Sequence, residues 1–299
     1  MIQIKALIKR NTKLFFKDKG MFFTSLITPL ILLVLYSTFL AKVYKDSLML
    51  SIPEGVSLSE KLINGTVGAE LFSSLLAVAC ITVSFCSNML MVQDKANGTV
   101  ADLYITPIKP SILSLSYYVS TVISSLIICY FTMIASFIYM AAVGWYLSFV
   151  DVTVLVVDVF LLVLFGTALS SVINFFLNSQ GQISAVGTVV SSGYGFVCGA
   201  YMPISQFGEG LQKIIMFFPG IYGTSLLRNH AMRGAFAEME KEGISTQAID
   251  AMKDAFDCNL YFFDNKVQIG GMYAVIAVCV ALLIGLYIVM NYLRIRKTR

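Results

Sequence analysis

The stretch Met91–Ser111, MVQDKANGTVADLYITPIKPS, lies between two long apolar runs and differs from both in composition. Asn97, Gly98 and Thr99 form a turn-and-cap cluster of the kind that starts a short helix. Val100, Leu103 and Tyr104 follow at helical spacing, which gives that helix one apolar face. Pro107 and Pro110 end it and begin the next element, because proline lacks an N–H and disfavours α geometry in the residue before it. The spacing thus predicts a short, rigid, amphipathic knuckle suited to docking another protein. The same residues also fit a plain connecting loop.

The runs on either side decide the fold class. Of 299 residues, 58% are hydrophobic and 13% charged, with mean hydropathy +0.81. Soluble domains hold about 45–50% apolar and about 25% charged residues. An integral membrane protein is therefore expected, and the apolar runs are continuous rather than alternating, so its spans are helices. Five of the six cysteines (Cys80, Cys86, Cys129, Cys198, Cys279) sit in apolar runs and read as small packing residues. Cys258 falls in a polar region without an evident partner, and the sequence has no CxxC or His/Cys cluster for a metal. The basic N-terminus precedes an apolar run too long for a cleavable signal peptide.

Residues 1–20 form a basic segment in which Ile4, Leu7, Ile8, Leu14 and Phe15 share a helical face, fitting either an interfacial helix or a disordered tail. Residues 21–293 are expected to make an all-α, polytopic domain of six transmembrane helices, at about 21–41, 69–92, 117–143, 153–177, 183–200 and 272–292. Pro29 is inside the first. Residues 42–68, with Pro53, read as an outer loop, and 93–111 hold the knuckle. Gly144, Trp145 and Tyr146 form an aromatic edge. Residues 203–268 read as two short re-entrant helices broken by Pro203 and Pro219, then a small extracellular lid. In that lid Ser245 caps a helix with Ile249, Met252 and Phe256 on one face. Residues 294–299 form a basic tail.

Six spans put both termini on one side. The N-terminal segment has six Lys/Arg, the knuckle loop two and the tail four, against three in 42–68. The segment 203–268 also has six, but it is long, carries eight acidic residues, and weighs little in the positive-inside rule. Both termini and the knuckle are therefore expected in the cytoplasm, with the chain in the cell membrane.

Chemistry within the chain is sparse. The sequence has no G-x-x-x-x-G-K-[ST] loop, G-x-S-x-G, H-E-x-x-H or kinase motif. His230 beside acidic residues of the lid is the nearest thing to a catalytic pair, and a solvated surface histidine explains it as well. Asp158 sits about five residues into its span and reads either as an interfacial carboxylate or as a polar group facing the subunit interior. Asn174, Gln180 and Gln182 fit the inner end of a pathway or plain interhelical hydrogen bonding.

In the knuckle, Gly98-Thr99, Leu103 and Thr106-Pro107 stand in the order seen in the first cytoplasmic loop of the type-2 ATP-binding-cassette permeases. Before the last span come Pro203, the apolar stretch 214–218, Pro219-Gly220-Ile221-Tyr222 and Leu227-Arg228. The chain resembles that family over almost its whole length. Where the family often has glutamates two before and three after the glycine, this chain has Ala96 and Ala101, which leaves Asp94, Lys95 and Asp102 as the charged contacts. The resemblance implies a non-catalytic membrane subunit of an exporter that pairs with a second permease, as homodimer or heterodimer. It further implies a separate ATPase carrying ATP and Mg2+ under each half. The coupling set would be Asp94, Lys95, Gly98, Thr99, Asp102, Leu103, Tyr104, Thr106 and Pro107. A drug, peptide, lipid or glycan-type cargo would pass along the second and fifth spans, with Asp158, Asn174, Pro203, Pro219 and Tyr222 as pathway or gate candidates. The alternatives are an ion-coupled secondary transporter, which calls for repeats and several buried ionisable groups, and a membrane enzyme, which lacks a catalytic constellation. No role with nucleic acid is implied.

Overall fold

The computed structural model describes residues 2–51, 58–263 and 265–298. Pro53, the Tyr104 side chain and the side chains of the 294–299 tail lie outside the described residues. Twelve α-helices in these parts carry the fold, with one two-stranded hairpin.

Helix α4, Glu60–Ala96, is the axis. Its 37 residues span about 55 Å, well beyond the hydrocarbon thickness. Ser59 caps it, the Oγ accepting from Leu62 N at 3.2 Å. Small residues run along it, among them Gly65, Gly68, Ala69, Ser73, Ala77, Cys80 and Ser84, and let neighbouring backbones come close. A Cβ on Gly166 of the facing helix would lie 3.1 Å from the Cys80 carbonyl and 2.9 Å from Ile81 Cδ1. As a result 89% of its most apolar window is buried inside this chain.

Around that axis pack α2 (Lys19–Leu35), α3 (Ala41–Ser51), α6 (Pro110–Val143), α7 (Phe149–Phe175), α8 (Gln180–Val197) and α10 (Pro219–Lys241). The last helix, α12 (Ile269–Thr298), packs on α6, α7 and α10. Asp18 caps α2, and a π-helical turn at Tyr36–Leu40 joins α2 to α3 without a break. The expected outer loop at 42–68 is therefore mostly helix, with α3 running to Ser51 and α4 starting nine residues before residue 69. Ser148 and Asp151 form a reciprocal capping box that starts α7.

Among the described residues five helices are long and apolar enough to cross a membrane: Lys19–Asp46, Glu60–Ala96, Pro110–Val143, Phe149–Phe175 and Ile269–Leu293. The expected fifth span falls on α8, whose 18 residues are rich in glycine, serine and glutamine and too polar to join them. The expected pair of short re-entrant helices is one short helix, α9 (Glu209–Ile215), and the 23-residue α10. Helix α10 runs on through Arg228 and His230, which the sequence had placed in a polar outer segment. The helix α11 (Thr246–Ala255) forms as the sequence predicts. Ser245 Oγ accepts from Ala248 N at 3.2 Å, and Ile249, Met252 and Phe256 are all buried. The hairpin β1 (Leu260–Phe262) and β2 (Asn265–Val267) was not anticipated; Leu260 pairs with Val267 and Tyr261 with Lys266.

Helix α1, Ile2–Lys17, is not a free tail. It buries Leu7, Asn11 and Phe15 and packs mainly on α6, while Lys5, Lys9, Lys13 and Lys17 are exposed.

Candidate functional site

The knuckle takes the form its residues predict. Asn97 closes α4, Gly98 turns the chain at φ 79°, and α5 runs from Thr99 to Ile105. Only glycine adopts that left-handed φ without strain. Thr106 Oγ1 donates to the Leu103 carbonyl at 2.6 Å at the exit, Pro107 follows, and Pro110 opens α6. Val100 and Leu103 are half-buried against the core, fixing one face of α5. Asp102, Thr106 and Pro107 are exposed, and Ile105 is 85% exposed at the tip.

Two of the predicted contacts do different work. Asp94 is buried at the root of the knuckle, where Arg10 Nη1 of α1 reaches its Oδ2 at 2.8 Å and the Tyr117 hydroxyl donates to the same oxygen at 2.5 Å. Lys95 Nζ donates to the carbonyls of Asn174 and Phe175 at 3.0 Å and of Leu177 at 3.4 Å. It thereby satisfies carbonyls that the end of α7 leaves open. Both residues anchor α5 to α1, α6 and α7 rather than face outward.

The pathway candidates do not converge. Asp158 and Asn174 sit 16 residues apart on α7, about 24 Å. Asp158 is buried; the His230 ring nitrogen Nδ1 lies 2.6 Å from its Oδ2, and the Tyr273 hydroxyl donates to Oδ1. It is thus not a lone charge but the tie between α7, α10 and α12. His230 is buried with it rather than solvated. Pro203 precedes a short 3-10 turn at Ile204–Gln206, and Pro219 is the first residue of α10. The buried Tyr222 hydroxyl donates to the Met216 carbonyl at 2.8 Å.

A second polar centre lies toward the opposite end of α4 from the knuckle. Arg228, 1% exposed, reaches Glu70 Oε1 with Nη2 at 2.6 Å and Asp257 Oδ2 with Nη1 at 3.1 Å. Its Nη2 also donates to the Gly199 carbonyl at 2.7 Å and Ser74 Oγ at 3.1 Å. Asp257 Oδ2 accepts from Ile204 N at 2.9 Å as well. Burial pushes the Asp257 carboxyl above its ordinary range, against the pull of Arg228. This knot joins α4, α10, the 199–204 turn and Asp257, two residues past the end of α11. Glu70 escaped the sequence reading although it is an acidic residue within an apolar run, a position that is costly unless paired.

Comparison with known families and proteins adds one positive finding. A family model described as ABC-2 type transporter matches residues 2–231 of the chain. No curated protein matches it.

Proposed function

This chain belongs to the ABC-2 type transporter family, and from that premise we propose that it works as the membrane half of an exporter whose α5 knuckle receives force from a separate ATPase. The membrane domains of this family are non-catalytic permease components, and the chain is an ABC transporter permease. Such permeases typically pair with an ATPase subunit. ATP and Mg2+ would sit on that partner, since this chain has no phosphate-cradling loop.

The observation that carries the proposal is the knuckle: a short helix with an open Ile105, rooted at Asp94 and Lys95 in three other helices. Closure of two ATPases would move two such knuckles, and the anchors would pass the movement to α1, α6 and α7. Force needs an element with two arrangements, and the α5 unit between Gly98 and Pro107 is the candidate. Asp102 and Thr106 supply the polar part of the contact beside Ile105 and Pro107.

Helix α8 completes the six spans in this reading and puts both termini, with the knuckle, on the cytoplasmic side of the cell membrane. Its exposed face carries Ser184, Thr188 and Ser192, each donating to the carbonyl four residues earlier. That back-bonding lowers the cost of hydroxyls in lipid or in a greasy seam. Pairing with a second permease across α8 would set those hydroxyls along a cargo path. The second span, buried on all sides by its own chain, would not line that path. Family membership supersedes the ion-coupled transporter, and the Asp158–His230–Tyr273 contact is accounted for as a tie between helices.

Co-expression with the neighbouring genes tests the proposal. An ATPase should co-purify with the chain, and export should stop when its hydrolysis is blocked. Transport that persists without any nucleotide-hydrolysing partner would overturn it.

A further inference from the structure

Between α9 and the β1–β2 hairpin lies a cavity of about 460 Å³, within the roughly 300–1,000 Å³ usual for small-molecule sites. We propose that it binds a cationic amphiphile: one positive charge carried on a hydrophobic, preferably aromatic, body.

The lining divides by chemistry. Ile204, Met216 and Leu260 line it and are buried, so part of the surface is dry and apolar. Tyr261, Phe262 and Phe263 supply aromatic surface, and Tyr261 and Phe263 are 44% and 58% exposed. Aromatic faces attract cations, and more strongly where water is excluded. Glu209 and Asp254 also line the cavity, with Lys213 one turn along from Glu209. Neither Glu209 nor Lys213 joins an ion pair among the described residues. Asp257, the third carboxylate of the lining, is already held by Arg228. Asp254 Oδ1 accepts from Asn259 Nδ2 at 2.7 Å and from the Tyr261 hydroxyl at 3.0 Å. Outside the Arg228 pair the lining thus holds two carboxylates and one ammonium, and the excess negative charge selects a cation. An anion would meet a single lysine against those acids. A bare metal ion does not fit either, because no group of three His/Cys/Asp/Glu ligands converges among the described residues.

The site stands apart from the knuckle and does not depend on the transport reading, so binding can be measured without an ATPase. The full chain is placed in nanodiscs of phosphatidylcholine and titrated with radiolabelled tetraphenylphosphonium, then with tetraphenylborate, its near-isosteric anion. Saturable binding of one phosphonium per chain is expected, with only bilayer partition for the borate. Glu209→Gln, an exposed position, should weaken phosphonium binding about threefold, as one rim charge contact is worth roughly 0.2–1 kcal/mol. Phe263→Ala should weaken it by a similar factor, and Lys213→Gln should strengthen it. Equal saturable binding of the borate, or phosphonium binding unchanged by both Glu209→Gln and Phe263→Ala, would overturn the assignment.

Discussion

Arg228 Nη2 lies 2.6 Å from Glu70 Oε1, with both side chains almost wholly hidden from solvent. They are 158 residues apart in sequence, on α10 and α4, so this contact holds together parts of the chain that local propensity cannot join. Replacing one partner leaves the other charge buried and unmatched, which typically costs about 3–5 kcal/mol. Arg228→Met should therefore lower the apparent melting temperature sharply, and Arg228→Lys, with fewer and less rigid donors, should fall between it and the parent. Thermal unfolding in detergent, read by light scattering, checks the order.

Ile105→Asp should separate docking from folding. The side chain is 85% exposed and contributes little to the fold, so insertion and melting should match the parent while ATPase co-purification is lost. Leu103→Asp is the informative contrast. Leu103 packs half-buried against the core, so that change should also loosen the loop, visible as faster hydrogen exchange in residues 99–105. Normal ATPase capture by Ile105→Asp would show that the docking surface lies elsewhere.

Gly98 sets the angle of α5. With φ at 79° and open space where a Cβ would stand, Gly98→Ala meets no clash but strains the backbone by about 1–2 kcal/mol. Docking should survive and coupling should weaken. ATP hydrolysis that continues while export falls, compared per complex, is the expected signature.

Arg10→Gln should free α1. Asp94 would keep its bond from Tyr117 but lose its cation. Hydrogen exchange across residues 2–17 should rise about tenfold, since a bond to a charged group is worth about 1.5–3 kcal/mol and this one is partly exposed. Unchanged protection would mean that Leu7 and Phe15 alone hold the helix.

Deleting residues 243–264 tests whether the lid is an ornament. It would remove Ile249, Met252 and Phe256 from the core and Asp257 from Arg228. Loss of folded protein is expected rather than a mere change in cargo. A stable truncated protein, monodisperse on gel filtration, would contradict this.

Much of this architecture is legible in the residues. The knuckle follows from Gly98, Thr99, Pro107 and Pro110, and the lid helix from Ser245 and its apolar spacing. These are local rules, decided within a turn or two of chain. What escaped depends on partners far away. Glu70 has meaning only beside Arg228, and His230 only beside Asp158. Asp94 and Lys95 read as surface charges because Tyr117 and the end of α7 lie 23 and about 80 residues on. The run of α10 past Arg228 is hidden because a charged, glycine-bearing sequence does not announce that its neighbours will bury it. The hairpin has strands of three residues each, too short for alternation to register.

The helix that starts at Glu60 and ends at Ala96 holds Glu70 near one end and Asp94 near the other, 24 residues or about 36 Å apart. No break interrupts it between them. An unbroken helix carries tilt and translation along its length, so a movement imposed where Arg10 and Tyr117 grip it would reach the place where Arg228 does. Two faces of a bilayer would then share one moving part, and the seal over the far side would loosen or tighten in step with the handle on the near side.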